Sequence, residues 1–136
     1  MFASFRTLVK AYNDFVTGCL DGYDLSPNEI AVLSALDGVT TASVIARDAG
    51  VSKALVSRSV KSLKQRGLIE TSISEIDKRE QNLSLTEKGE QVAAVVRDAN
   101  DRFCEIALKD ANEEILEVTS LMLEVIMRNL VAGGEE

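Results

Sequence analysis

Histidine is absent from the sequence, and cysteine and proline are scarce, with two Cys and one Pro in 136 residues. Without histidine the chain has no Cys–His nucleophile pair, and two cysteines leave no cluster of zinc ligands. The sequence also lacks a convergent set of nucleophile, base and metal ligands. We therefore predict that the protein is not an enzyme and that it uses no metal and no other cofactor.

Glycine is also limited, since the chain has eight Gly and no low-complexity tract. With 27% charged and 46% hydrophobic residues, the composition favours one folded, mainly helical domain over a disordered chain or a turn-rich β-sandwich. Lys10, Asn13 and Asp14 interrupt the apolar residues near the N-terminus before the hydrophobic region of a signal peptide can form. We expect a single cytoplasmic domain over residues 1–136.

Acidic residues dominate the chain, whose formal net charge is -7, but they are unevenly spread. Residues 41–89 carry nine basic and six acidic side chains, whereas the rest of the chain carries six basic and sixteen acidic ones. Within this segment, residues 51–67 hold five Lys or Arg and neither Asp nor Glu. Because binding to a polyanion depends on the local potential, the acidity of the whole chain does not exclude nucleic acid as a partner.

Hydrophobic periodicity and capping residues predict the first helices. Apolar residues recur at three- and four-residue steps from Phe2 to Cys19, which is typical of an amphipathic helix. Ser26 then has the spacing of an N-cap in a capping box with Glu29, at the start of a second helix that runs to about Asp37. A third helix at residues 41–49 completes this half of the chain.

A fourth helix follows a sharp turn at Gly50, with Ser52 as its N-cap and Gly67 at its end. Its apolar side is formed by Val56, Val60 and Leu63. Beyond Gly67, apolar and polar residues alternate on both sides of a charged turn, which predicts a two-stranded hairpin. Ile69, Thr71 and Ile73 alternate with polar residues before this turn, and Leu83 and Leu85 alternate with them after it.

Two further helices complete the predicted fold, one from Thr86, in which Gly89 is expected only to weaken the first turn, and one over residues 113–131. The last helix is apolar on more than one face. It is interrupted by charged residues and is shorter than the roughly 20 residues of a membrane span, so we expect no membrane association. We predict instead that the apolar stripes of this helix and of the first one pair with a second copy of the chain in a symmetric dimer.

The order of helix, turn, helix and two-stranded wing resembles the MarR family of bacterial transcriptional regulators. The matching segments are "LSPNEIAVLSAL", "SVIARDAGVSKALVSRSVKSLKQRGLIE" and "DKREQNLSLTEKG". The last is the most specific, because it has the family's Asp, any residue, Arg, then an apolar-polar-Leu-Thr strand end and a Gly three residues after the Thr. The resemblance implies a winged helix-turn-helix DNA-binding lobe at residues 25–89, with dimerisation helices at residues 1–21 and 90–131.

The acid-free fourth helix is the candidate DNA-reading element. The spacing i, i+4, i+8 and i+11 places four polar residues on one face, opposite the apolar residues. These four are Lys53, Ser57, Lys61 and Lys64. A helix face that is merely solvated usually mixes both signs of charge. The resemblance implies that the first turns lie nearest the base edges, that Arg58 contacts guanine, and that Lys61 and Lys64 contact phosphates. The predicted DNA-binding residues of this helix are Ser52, Lys53, Ala54, Ser57, Arg58, Lys61 and Lys64.

The hairpin tip supplies the second set of candidate DNA-binding residues, Asp77, Lys78 and Arg79. The ordinary interpretation of such a segment is a polar turn. The resemblance implies that Arg79 enters the minor groove and that Asp77 orients it, and a narrow A·T-rich groove does attract a guanidinium. Glu75 and Glu80 depart from this pattern. Their negative charge lowers the DNA affinity expected of the wing.

Two further hypotheses concern regulation. Members of the family respond to small aromatic acids, and Tyr12, Phe15 and Tyr23 are candidates to line an effector pocket, although aromatic residues at helical spacing are more often core. Other members sense peroxide through a thiol, and Cys19 is the redox candidate. A cysteine on an apolar stripe is more often a small core residue, and Cys19 lies later in the first helix than in those sensors.

The sequence therefore predicts a homodimeric DNA-binding transcriptional regulator, a ligand-responsive repressor that binds a pseudo-palindromic operator. Its expected partners are double-stranded DNA, a second copy of the chain and a small-molecule effector of unknown identity. Two alternatives stay open: a thiol-based redox regulator, and a dimeric protein-interaction module without DNA function. The interaction module predicts mixed charges over residues 52–66, which the sequence does not have.

Overall fold

Helices make up most of the fold. A computed structural model of the chain describes residues 1–133, in which six helices flank one two-stranded sheet. The elements are α1 (Phe2–Cys19), α2 (Pro27–Ala35), α3 (Ala42–Ala49), α4 (Lys53–Gln65), β1 (Ile69–Ile73), β2 (Gln81–Leu85), α5 (Glu87–Ala107) and α6 (Glu113–Gly133). The predicted mainly α fold with a β-hairpin wing is confirmed. The last three residues of the predicted 1–136 domain lie outside the described residues, as do the side chains of Phe2 and Val131 at the ends of the predicted dimer stripes.

Side-chain caps fix where the helices of the central segment begin. Ser26 Oγ accepts a hydrogen bond from the backbone N–H of Glu29 at 3.2 Å, and Glu29 Oε1 accepts one from the N–H of Ser26 at 3.4 Å. Thr41 and Ser52 cap α3 and α4 through their hydroxyl oxygens. These bonds satisfy N–H groups that have no partner within the helix. α2 ends short of its predicted end because Leu36 is extended and buried in the core.

The chain divides into two compact units, Met1–Phe103 and a second unit that begins at Cys104. The core of the first unit is one cluster of buried apolar side chains from α1 to α5. Its largest members include Leu33, Leu36, Ile45, Leu63 and Ile69, each at most 2% exposed. Full burial of such a side chain contributes roughly 1.5 to 3 kcal/mol, so this cluster is what holds α4 and the hairpin in place.

The hairpin is antiparallel, with Ile69 paired to Leu85 and Ile73 paired to Gln81. Ile69 and Leu83 are each 2% exposed, as the alternation predicts. Ile73 continues the alternation but is 71% exposed, because β1 extends past the core at that end. Thr40 adds an unpredicted bridge, since its N–H donates to Leu83 O at 3.0 Å and its carbonyl oxygen accepts from Leu83 N–H at 2.7 Å.

Gly89 is a packing requirement, and the expectation that it only weakens the first turn of α5 is wrong. A Cβ atom built on Gly89 lies 1.9 Å from the carbonyl oxygen of Leu68. That oxygen accepts a hydrogen bond from the backbone N–H of Thr86 at 3.1 Å. Thr86 Oγ1 caps α5 by accepting from Gly89 N–H at 3.0 Å and donates to Gly67 O at 2.6 Å. The start of α5 is therefore tied to the chain between α4 and β1.

The second unit contains α6, which Asn112 caps by accepting a hydrogen bond from Ile115 N–H at 2.9 Å. Apolar side chains on this helix are exposed by 36% to 66%. They are Ile115, Leu116, Val118, Leu121, Met122, Leu123, Val125, Met127 and Leu130. Throughout residues 1–133, no helix is long and apolar enough to cross a membrane.

Candidate nucleic-acid interface

A short turn sets the start of α4 directly after α3. Gly50 adopts the left-handed conformation, with φ of 66° and ψ of 30°, and its N–H donates to Ala46 O. The N–H of Val51 donates to the same oxygen at 3.2 Å. Glycine tolerates this conformation without steric cost, which lets the chain turn from α3 into α4 within three residues. Ser52 then begins α4 by accepting a hydrogen bond from the N–H of Leu55 at 3.2 Å.

The two faces of α4 differ as the sequence predicts. One face is buried and consists of Val56, Ser59, Val60 and Leu63. The predicted DNA-binding residues of α4 and its N-cap are all exposed: Ser52, Lys53, Ala54, Ser57, Arg58, Lys61 and Lys64. Since the buried face fixes the helix against the core, the exposed face presents its side chains on a rigid support. Their roles in DNA binding stay predictions.

Four cations on this face have different surroundings. Arg58 and Lys61 have no hydrogen-bond or ion-pair partner among the residues that the structure describes. Lys64 Nζ donates to Thr71 Oγ1 at 2.7 Å, and Lys53 Nζ lies 3.7 Å from Glu80 Oε1. Arg58 and Lys61 are therefore the cations most readily available to an anionic partner.

Arg66, the fifth cation of the acid-free segment, has a structural role that the sequence did not predict. Its guanidinium donates to the carbonyl oxygens of Tyr23 and Asp24, the latter at 2.9 Å. It also lies 3.4 Å from the carboxylate of Glu29 in α2. Arg66 thus ties the end of α4 to the loop after α1, and it does not belong to the exposed cationic face.

The wing turn is shaped by its own polar groups. Ser74 Oγ accepts from the N–H of Asp77 at 3.2 Å, and Glu80 N–H donates to Asp77 O at 3.1 Å. Asp77 Oδ1 accepts a hydrogen bond from the backbone N–H of Arg79 at 3.0 Å. The predicted orienting partner therefore fixes the backbone from which the exposed Arg79 side chain extends.

A groove of about 530 Å³ lies between α4 and the wing. Lys53 and Ser57 of α4 line it together with Lys78 and Arg79 of the wing, so it joins the two predicted DNA-binding segments. Glu80 also lines the groove and accepts a hydrogen bond from Ser43 Oγ of α3 at 2.7 Å. The sequence predicts neither this bond nor the approach of Lys53 to Glu80, because no local pattern connects α3, α4 and the wing.

The candidate effector residues do not all lie together. Tyr12 and Phe15 both pack on Phe103 of α5, with ring centroids 5.2 and 5.7 Å away, and Tyr12 donates from its hydroxyl to Asn100 Oδ1 at 2.7 Å. Tyr23 lies in the loop that Arg66 tethers. The cavity that Tyr12 lines is about 90 Å³, below the size of about 300 Å³ at which ligand pockets begin. The effector pocket stays a prediction.

Neither cysteine is in a disulfide. Cys19 is half-buried in α1, where Arg102 Nη1 lies 3.9 Å from its sulfur, and Cys104 is exposed. The redox hypothesis for Cys19 therefore also stays a prediction. Among residues 1–133, no group of three or more Cys, Asp or Glu is arranged to hold a metal ion.

Comparison with known proteins identifies relatives of this fold. A family model described as the MarR family matches residues 23–80, which cover α2, α3, α4, β1 and the turn that precedes β2. No match was found among curated proteins.

Solved structures resemble nearly the whole chain. A MarR protein from Peptoclostridium difficile is 21% identical, with a TM-score of 0.84, over 95% of this chain and 86% of that one. The transcriptional regulator SlyA is 18% identical, with a TM-score of 0.87, over 98% and 96%. Bordetella bronchiseptica BpsR, whose DNA binding is regulated by 6-hydroxynicotinic acid, is 17% identical, with a TM-score of 0.75, over 91% and 96%. At these identities the likeness establishes the fold.

Proposed function

We propose that this chain is a member of the MarR family and a non-enzymatic transcriptional regulator that binds double-stranded DNA in the cytoplasm. The observation that carries the proposal is the exposed face of α4, which has several cations and no acidic residue in a chain of net charge -7. Arg58 and Lys61 on this face have no intramolecular partner within residues 1–133. Such an arrangement favours phosphate binding, because cations that bind no carboxylate are free to displace counterions from DNA.

In the proposed complex, the first turns of α4 enter the major groove. Arg58 donates to a guanine edge, while Lys61 and Lys64 contact phosphates. At the wing, Arg79 enters the minor groove from a turn that Asp77 fixes, and Lys78 adds a phosphate contact. The groove between α4 and the wing then faces the DNA backbone that separates the two sites.

We further propose that the regulator is a homodimer. The exposed apolar side chains of α6 need a cover, and α1 exposes Phe5, Leu8 and Val9 by 37%, 51% and 56%. Burial of 1,000 Å² of apolar surface contributes on the order of 25 kcal/mol before the entropy of association is subtracted, which is ample for a stable pair. A two-fold dimer presents two copies of α4 to a pseudo-palindromic operator about one helical turn apart.

We also propose that a small molecule regulates the DNA binding of this protein. BpsR, a protein of the same fold, has its DNA binding regulated by an aromatic acid. We propose that an effector near Tyr12, Phe15 and Tyr23 shifts the dimer away from its DNA-binding form, which makes the protein a repressor that its ligand releases. Tyr12 and Phe15 of α1 pack on Phe103 of α5, which brings three aromatic rings together.

Selection of bound fragments from genomic DNA, followed by fluorescence anisotropy on the selected duplex, tests the proposal. Lys61→Gln should weaken binding to selected and random duplexes alike and reduce the log-log salt slope by about 0.9 per subunit. Arg97→Gln is the matched control, since Arg97 is exposed on α5 and pairs with Glu90. Equal effects of the two variants, or no binding by the parent protein at low salt, would refute the proposed function.

A further inference from the structure

We propose that Glu80 competes with DNA phosphates for Lys53 and so lowers the affinity of the protein for DNA of any sequence. This inference rests on the proposed function. Its basis is the position of the Glu80 carboxylate, which lies 3.7 Å from Lys53 Nζ and accepts a hydrogen bond from Ser43 Oγ at 2.7 Å. One acidic side chain of the wing thus contacts both α3 and the first residue of α4.

The carboxylate is the better-fixed member of this pair. The backbone of Glu80 is bonded on both sides, since its N–H donates to Asp77 O at 3.1 Å and its carbonyl oxygen accepts from Ser74 N–H at 3.2 Å. Its side chain is 34% exposed, whereas that of Lys53 is 62% exposed. When a phosphate approaches, Lys53 has the freedom to leave, and Glu80 stays where the turn and Ser43 hold it.

Glu80 lines the same groove as the cations that we expect to bind DNA, so its pairing with Lys53 bears on DNA binding. Glu80 is the acidic member among the described residues that line the groove between α4 and the wing, and Lys53, Lys78 and Arg79 are its basic members. A phosphate that binds Lys53 therefore replaces the Glu80 carboxylate and remains near its negative charge. Both effects oppose binding irrespective of base sequence.

The expected size follows from the exposure of the pair. Exposed ion pairs correspond to a factor of about 1.4 to 5 in an equilibrium constant, which applies once to each subunit of a dimer. Because binding to random DNA is almost wholly electrostatic, a carboxylate that competes with phosphates for Lys53 directly lowers the affinity for such DNA. Glu80 would thereby lower the affinity for operator and non-operator DNA by the same factor and shorten the time spent on either.

Five variants of the full chain test the inference: Glu80→Gln, Glu75→Gln, Lys53→Gln and the two double variants that combine Lys53→Gln with Glu80→Gln or with Glu75→Gln. Glu75 is the matched control, because it is an exposed acid of the same wing with no hydrogen-bond or ion-pair partner in the described part of the chain. Binding is measured on a random-sequence duplex by anisotropy over a range of salt concentrations. Thermal unfolding of each variant without DNA verifies that it is folded.

We expect Glu80→Gln to tighten binding about 2- to 25-fold per dimer and to steepen the salt slope by about 0.9 per subunit. Glu75→Gln should have a smaller effect that does not depend on Lys53. In the Lys53→Gln background, Glu80→Gln should have no more effect than Glu75→Gln.

Three results would overturn the inference while leaving the proposed function intact: tight binding by the parent with equal effects of the two glutamate variants, an undiminished Glu80→Gln effect without Lys53, or weaker binding after Glu80→Gln. The last would mean that Glu80 holds Lys53 in place for DNA. A parent protein that binds no duplex even at low salt would instead refute the proposed function, and the inference would fall with it.

Discussion

Replacement of Gly89 by alanine probes how α5 is joined to the chain between α4 and β1. Gly89 lies in the first turn of α5, and a Cβ atom there would come within 1.9 Å of Leu68 O and 2.9 Å of Leu68 C. These are backbone atoms of a residue that is 2% exposed, so no side-chain rotation relieves the clash. The backbone of α5 or of Leu68 must move.

The expected loss of stability has two parts. Forcing a methyl group into a packed site destabilises by roughly 1 to 3 kcal/mol. Displacement of Leu68 also weakens the hydrogen bond that its carbonyl oxygen accepts from Thr86 N–H, a bond whose net contribution is about 0.5 to 1.5 kcal/mol. The sum is about 1.5 to 4.5 kcal/mol, which lowers the Tm by about 5 to 16 °C in a chain of this length.

Gly18→Ala is the control, because Gly18 is also helical and a Cβ atom there meets nothing within 4 Å. Alanine should stabilise α1 by up to about 1 kcal/mol through its higher helix propensity. Thermal unfolding followed by circular dichroism, at one fixed protein concentration, compares the two variants with the parent. A Gly89→Ala protein as stable as the parent would show that α5 does not pack on Leu68 as closely as described.

The remaining predictions concern the DNA and dimer surfaces. Arg58→Ala should relax sequence preference, with a loss of about 1 to 3 kcal/mol per lost bidentate contact, whereas Lys61→Ala should weaken binding to all sequences alike. Equal losses on operator and random duplexes for Arg58→Ala would contradict the assignment of Arg58 to a base. Arg79→Ala should lower affinity most on operators with A·T-rich flanks, and a loss independent of flank composition would mean that the wing contacts only phosphate. Replacing Leu123 and Ile126 together with Glu should abolish dimerisation and operator binding without altering a DNA-facing residue, since a dimer would bury unpaired charge. Sedimentation of that double variant beside the parent decides the matter, and an intact dimer with normal operator binding would place the interface elsewhere.

Local patterns account for the part of the fold that the sequence predicted. The three- and four-residue spacing of Val56, Val60 and Leu63 identified the buried face of α4, because helical periodicity alone decides which side chains share a face. Ser26, Thr41 and Ser52 marked helix starts through bonds that span three residues. Such features are written into a short segment and need no knowledge of the rest of the chain.

Contacts between distant segments account for what the sequence did not predict. Ser43 and Glu80 are 37 residues apart, and Arg66 lies 43 residues from the Tyr23 carbonyl oxygen that it contacts. Local sequence makes Gly89 only a weak point in a helix, whereas in the fold Leu68 O lies where its Cβ atom would be. Ile73 continued the apolar alternation of β1, yet it is exposed because the core ends before the strand does. Charge and periodicity indicated which face of α4 is basic, but only the fold shows which of its cations are already paired.

The salt dependence of DNA binding tests the central claim most directly, because the claim is that an acidic protein binds DNA through one acid-free face. If each subunit neutralises about four phosphates, the dimer should give a slope of roughly -7 in a plot of log K against log salt concentration. The measurement needs only the parent protein, a duplex selected from genomic DNA and a titration by anisotropy at several salt concentrations. A steep negative slope near that value is the result we predict, and a slope near zero would contradict the assignment of the α4 face to DNA.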